Sequence, residues 1–116
     1  PVLEPEPDDI DDIPISIAEE QPSFPGGTSE MMKFIANNIV YPELARKVNI
    51  TGTVYIEFVV EKDGSLSAIK ILRGIGGGCE EEAIRVINLM PSWNCGRQNH
   101  IPVRVRLTIP IKFSLM

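Results

Sequence analysis

The alternation of apolar and polar residues predicts three β-strands. Residues 53–61 (TVYIEFVVE) carry apolar side chains at every second position, as expected for a strand with one buried face. Residues 66–73 form a second such run. Asp63 and Gly64 lie between the two runs and favour a hairpin, because glycine adopts positive φ without strain. Residues 103–113 alternate most strictly, and the side chains predicted to face the core are Val103, Val105, Leu107, Ile109, Ile111 and Phe113.

Three helices are predicted outside these runs. Apolar residues recur every three or four positions over 29–38, which predicts a helix. Pro42 suits the first turn of a second, short helix that extends through Val48. A third helix is predicted between Glu80 and Pro91, where three consecutive glutamates suit the positive end of a helix dipole. The third helix carries an apolar stripe made of Ala83, Ile84, Ile87 and Met90.

This order of elements predicts an α+β fold of two layers. N-terminal helices are followed by β-β-α-β, and the simplest three-stranded antiparallel sheet has the order 2-1-3. Ile13, Ile15 and Ile17 also alternate with polar residues or proline, which predicts an extra short strand near 15–19. Pro14 would confine that strand to an edge or to its own first residue.

Charge divides the chain into two parts. Residues 1–22 contain eight acids and no base, whereas residues 23–116 contain the other eight acids and all eleven bases. We therefore interpret 1–22 as an acidic, proline-containing linker and 23–116 as one domain. A net charge of +3 over the domain is too small to indicate nucleic-acid binding. Because the first residue is Pro1 rather than Met, we expect any targeting or anchoring segment to lie upstream.

The residues that usually carry chemistry are sparse. His100 is the only histidine, and it lies in a polar loop five residues after Cys95. We predict no catalytic residues, no metal site and no cofactor, and hence no enzyme. We expect no disulfide, since the predicted helix would separate Cys79 from Cys95; pairing of these two is the alternative in an oxidising compartment.

The third strand has the features of a sheet edge. Pro110 lacks a backbone N–H, and proline in a strand is largely confined to edges. An edge strand offers unpaired N–H and C=O groups to which an extended peptide can add as a further strand. Two alternatives stay open. Arg104, Arg106 and Lys112 could serve only to prevent aggregation at this edge, or the 13–19 segment or a second copy of the chain could cover it.

Beyond these patterns, an ordered set of short motifs resembles the TonB C-terminal domain family. It begins with Pro22-Ser23-Phe24-Pro25-Gly26-Gly27 and continues through Tyr41-Pro42, Gly52-x-Val54 and Asp63-Gly64. The later members of the set are Glu82-Ala83, Arg85-Val86, Met90-Pro91-Ser92-Trp93, Gly96, Val103-x-Val105 and Pro110-Ile111-x-Phe113. Cys79 and Cys95 depart from the family's usual pattern.

The resemblance implies a periplasmic domain tethered to the inner membrane by an upstream helix, which engages an ExbB/ExbD-type motor. The domain would bind the TonB box of outer-membrane transporters by β-strand addition and transmit force from the proton-motive force for nutrient uptake, for example of siderophores. The resemblance also implies that Tyr41, Pro42 and Arg46 lie near the bound peptide. Together with the edge strand, the predicted partner-binding residues are Tyr41, Pro42, Arg46, Val103, Arg104, Val105, Arg106, Leu107, Thr108 and Ile109.

Two other functions fit the sequence. Similar domains occur as C-terminal sensor or interaction modules of membrane-bound BlaR-type metallopeptidases, whose zinc motif would lie upstream. A free edge is also compatible with a homodimer. The upstream sequence would separate the transducer from the sensor.

Overall fold

The structure of the protein is a computed structural model, and it describes residues 13–115. Three helices and five strands follow one another along this part of the chain. The helices are α1 (Thr28–Asn38), α2 (Glu43–Lys47) and α3 (Cys79–Leu89). The strands are β1 (Gly52–Val60), β2 (Leu66–Arg73), β3 (Gly96–Gln98), β4 (Ile101–Val103) and β5 (Val105–Phe113).

The main sheet has three antiparallel strands in the order β2-β1-β5, with β1 in the centre. This confirms the predicted order, in which β5 is the third strand of the β-β-α-β pattern. β1 and β5 pair without interruption from Gly52–Phe113 to Val60–Val105. β3 and β4 form a separate two-stranded hairpin.

The core lies between the sheet and the helices. Val54, Ile56, Phe58 and Val60 of β1 are all completely buried, as the period-two pattern predicts. α3 buries the face that carries Ala83, Val86 and Ile87 against this layer. Trp93, which follows α3, packs edge-on against Phe58 at a ring-centroid distance of 5.3 Å. The apolar period therefore predicts the buried face of β1. On α3, Val86 joins Ala83 and Ile87 in the core, whereas Ile84 and Met90 of the predicted stripe are only partly buried.

The third strand is shorter than predicted. Val103 belongs to β4, Arg104 lies between the strands, and β5 begins at Val105. The reason is the β3-β4 hairpin, which forms where the sequence pattern indicates a polar loop. Asn99 and His100 both have positive φ, 53° and 66°, and turn the chain so that 96–98 pairs with 101–103.

The short strand predicted near 15–19 does not form. Instead, residues 13–23, here called the N-terminal strap, make isolated backbone bridges. Ile15 pairs in parallel with Val105, Glu20 pairs with Arg97, and Ser23 pairs with Asn94. The strap therefore hydrogen-bonds to β3 and to the start of β5 without joining a sheet, and the boundary between linker and domain at 22/23 stays a prediction.

Candidate functional site

The sheet has two outer strands, and they differ in regularity. The ladder between β2 and β1 contains two register shifts, and Ala68 in β2 has a φ of 51°. Such irregularities twist an edge and hinder the addition of another strand. β5 has no register shift along its nine residues. Of the two outer strands, β5 is therefore the one suited to accept an extended chain.

The backbone groups of β5 alternate between β1 and the outside. Arg106 N–H donates to the carbonyl of Ile15 at 2.8 Å, so the N–H of residue 106 points away from β1. In a regular strand the same orientation recurs at every second residue, namely Thr108, Pro110 and Lys112. Pro110 therefore lacks a donor on the outer side, and its ring leaves the ladder with β1 intact.

The strap covers only the beginning of this edge. Ile15 N–H donates to Arg104 C=O at 3.0 Å, and Ile15 C=O accepts from Arg106. Beyond this point no residue among 13–115 pairs with the outer side of β5. An open row of outward backbone groups therefore remains. It consists of the N–H groups of Thr108 and Lys112 and of the carbonyls of residues 106–112 that point outward. This row is here called the β5 edge.

Two of the predicted binding arginines are engaged by glutamates of the sheet. The Arg104 guanidinium donates to both carboxylate oxygens of Glu61, at 2.7 and 3.1 Å. Arg106 Nε lies 3.3 Å from Glu57 Oε1. Ser67 Oγ also donates to Glu61. These contacts fix the two guanidinium groups beside the start of the edge, where the paired glutamates offset their positive charge.

The Arg104–Glu61 pair makes the stability of the fold depend on pH. The guanidinium of Arg104 holds the pKa of Glu61 below its ordinary value of 4.5. The contribution of the pair is therefore fully present above about pH 4.5 and is lost as the pH falls through the lower, folded-state pKa.

We expect Glu61→Gln to lower the free energy of unfolding by about 1–2 kcal/mol at about pH 7, because a charge-assisted hydrogen bond is lost. The loss should be smaller at about pH 3, because protonation of Glu61 in the parent sets in as the pH falls towards its lowered folded-state pKa. Urea unfolding of parent and variant at both pH values measures this. Glu57→Gln, with its longer and more exposed contact, serves as the control and should lose less. A loss that is equal at both pH values would contradict the assignment.

Tyr41 and Pro42 belong to the connection from α1 to α2, and Tyr41 lies against the last residue of β5. The Tyr41 hydroxyl donates to the carbonyl of Ile50, and the Tyr41 ring meets Phe113 edge-on at 5.6 Å. Partial burial raises the pKa of Tyr41 above its ordinary value. Pro42 precedes the first residue of α2. The side chain of Arg46 is exposed and makes no ion pair with residues 13–115.

Helix α3 crosses over between β2 and β5, and its side chains hold the connection from α1 to α2 in place. Arg85 Nη2 donates to the carbonyl of Asn38 at 2.7 Å and to Glu82 at 2.6 Å. Glu82 in turn accepts from the N–H of Val40. This ties the C-terminal end of α1 to α3, and it thereby positions Tyr41, whose ring contacts the last residue of β5. The role of Tyr41, Pro42 and Arg46 in binding stays a prediction.

An apolar groove lies along the middle of β5 on the helix side of the sheet. Its volume is about 230 Å³. The sequence pattern gives no sign of this groove, although residues of the segment 22–27 form one of its walls. The groove, here called the Phe24–Trp93 groove, is lined by Pro22, Ser23, Phe24, Gly27, Thr28, Met31, Trp93, Leu107, Thr108 and Ile109.

The two cysteines differ in exposure, because Cys95 is only partly buried. Cys79 is completely buried, and burial, together with the charges of Glu80 and Glu81, raises the pKa of its thiol. Cys79 and Cys95 are both free thiols. Within residues 13–115, no cluster of His, Cys, Asp or Glu is arranged to hold a metal ion. In the same part of the chain, no helix is both long and apolar enough to cross a membrane.

A regular sheet edge that the rest of the described chain leaves open is a feature that protein-interaction domains use to bind extended chains. Residues 37–115 match the family described as Gram-negative bacterial TonB protein C-terminal. The chain therefore belongs to the TonB C-terminal domain family, whose members are non-catalytic interaction domains of the periplasm.

Solved structures agree with this assignment. The solution NMR structure of the Helicobacter pylori TonB C-terminal domain, residues 179–285, is 26% identical with a TM-score of 0.57, and the match covers 76% of this chain and 79% of that one. A shorter form, residues 194–285, is 25% identical with a TM-score of 0.54, covering 75% and 91%. A comparison with curated proteins finds no significant match.

Proposed function

We propose that this domain binds the TonB box of outer-membrane transporters by adding it as a strand to the β5 edge. The observation that carries the proposal is the outward row of backbone groups beyond Arg106, which has no partner within residues 13–115. An added strand would form backbone hydrogen bonds there, each contributing about 0.5–1.5 kcal/mol. Membership of the TonB C-terminal family supports this choice of partner.

The binding would serve energy transduction. An upstream helix in the inner membrane would engage an ExbB/ExbD-type motor, and the domain would pass force to the transporter for uptake of nutrients such as siderophores. The domain itself would act through contact alone and catalyse no reaction. The burial of Cys79 supports this view, since a thiol with a raised pKa and no solvent access is a poor nucleophile.

Amide NMR tests the docking. A synthetic TonB-box peptide should shift the amide signals over 103–111 and that of Lys112, because their hydrogen bonds or shielding change when a strand is added. Amides of β2, the irregular outer strand, are the internal control and should move little. If signals of β5 stay in place at saturating peptide while others move, docking on the β5 edge is wrong.

A further inference from the structure

The Phe24–Trp93 groove opens directly beside the outward backbone groups of β5. Thr108 supplies an outward N–H and C=O and also lines the groove, together with its neighbours Leu107 and Ile109. Side chains of any strand point alternately to the two faces of its sheet. A strand added at Thr108 would therefore direct every second side chain towards the helix layer, where the groove lies.

The lining of the groove determines what it can accept. It contains no charged residue, and the aromatic rings of Phe24 and Trp93 meet edge-on at 5.8 Å in its wall. Both rings are almost fully buried, at 6% and 7% exposure. Met31 adds a flexible apolar side chain, which adapts to irregular shapes. Such a lining favours a large apolar side chain over a charged one, because burying an unpaired charge is costly.

We propose that this groove takes one large apolar side chain of the docked peptide and so selects the peptide's residue at that position. This inference rests on the proposed function, since it requires a strand on the β5 edge. It assigns to Phe24 and Trp93 a part in recognition that the backbone contacts alone do not provide. Backbone bonds are the same for any sequence, whereas the groove distinguishes one side chain from another.

The acidic charge of the chain's own N-terminal part does not suit the groove. The strap supplies the wall of the groove through Pro22 and Ser23, so the strap itself does not fill it. Residues 1–12 contain six acids, and the groove offers no base to pair with them. An extended peptide on the β5 edge is the occupant whose direction and chemistry both fit.

A set of singly substituted peptides tests the proposal. The probe is a blocked TonB-box nonapeptide in which each apolar residue is replaced in turn by alanine and by aspartate. At one position alanine should weaken binding on the order of tenfold, as expected for the loss of one buried large side chain, and aspartate should weaken it further. Trp93 is the only tryptophan, so its emission should change on binding of the parent peptide and change less with the alanine peptide.

Two single substitutions in the full chain separate the contribution of the groove to peptide affinity from that of the β5 edge. Thr28→Phe places a ring at the rim of the groove and should weaken the parent peptide while sparing the alanine peptide. Ser29→Phe, the neighbouring exposed position outside the lining, is the matched control and should leave both affinities unchanged.

The outcomes distinguish this inference from the proposed function. If β5 amides shift but no apolar position matters and Trp93 emission is constant, the groove proposal is overturned while docking stands. If no peptide moves the β5 amides, docking itself fails and the groove proposal fails with it. If deletion of residues 1–12 changes Trp93 emission and peptide does not, the groove belongs to the chain's own N-terminal part, and the proposal is again overturned.

Discussion

Thr108→Pro should reduce the affinity for a TonB-box peptide on the order of tenfold or more and leave the domain folded. The N–H of Thr108 points away from β1, so proline removes a donor from the β5 edge without breaking the ladder. With Pro110 already lacking an N–H, Lys112 would be the last outward donor beyond the strap. The introduced pyrrolidine ring would also obstruct the approach of a partner backbone.

Ile109→Pro is the matched control for this prediction. The N–H of Ile109 points towards β1, and its side chain is almost fully buried, at 7% exposure. Proline there removes a ladder bond and disturbs the core, so we expect a loss of about 3 kcal/mol or more in the free energy of unfolding. Circular dichroism and urea unfolding report the fold, and calorimetric titration reports the peptide affinity. Thr108→Pro with unchanged affinity would show that the peptide docks elsewhere.

Gly64→Ala should destabilise the domain by roughly 2–4 kcal/mol. Gly64 ends the turn between β1 and β2 with a φ of 87°, which an L-residue adopts only under strain. A Cβ built at this position would also lie 2.1 Å from the carbonyl oxygen of Trp93. The N–H of Trp93 donates to Gly64 C=O at 2.8 Å, so the clash cannot relax without loss of that bond and a shift of the buried indole.

Gly76→Ala separates the two causes. Gly76 has a φ of 84°, almost the same as Gly64, but a Cβ there meets no atom within 4 Å. Its substitution should cost only about 1 kcal/mol, the strain of positive φ alone. Urea unfolding of both variants measures the difference. Equal losses at the two positions would mean that the contact between the turn and Trp93 contributes little to stability.

The main sheet could be predicted because its information is local. β5 alternates over nine residues and β1 does so except at Val59, and one face of each strand is buried on the helices, so a strand assignment follows directly from the period. The order β2-β1-β5 follows from a tight turn and one crossover helix. The proline at position 110 likewise indicated an edge, and it lies on the outer side of that edge.

The parts that could not be predicted depend on contacts between distant residues. The β3-β4 hairpin turns at Asn99 and His100, neither of which carries the usual turn signal of glycine, so the sequence pattern resembles a loop. The strap is held by single backbone bridges, which leave no periodic pattern. The pairing of Arg104 with Glu61 spans 43 residues, and nothing local indicates it.

Only the part of the candidate site that depends on local pattern could be predicted. The edge strand follows from alternation and a proline, but the Phe24–Trp93 groove assembles residues from four separate segments. Phe24 and Trp93 are apolar, and the sequence therefore predicts only that their side chains are buried. Their position beside Thr108 results from the strap, α1 and the end of α3 packing on the same side of β5.

The bridges of the strap have a mechanical consequence if tension reaches the domain through the chain before Ile13. The bridge at Ile15 would bear the load first, those at Glu20 and Ser23 afterwards, each made of few hydrogen bonds. Such bonds would rupture one after another and release slack gradually, before the β1–β5 ladder is strained. The strap would then act as a short extensible element in series with the domain, and breakage at Ile15 would lengthen the vacant part of β5 by one outward N–H, that of Arg106.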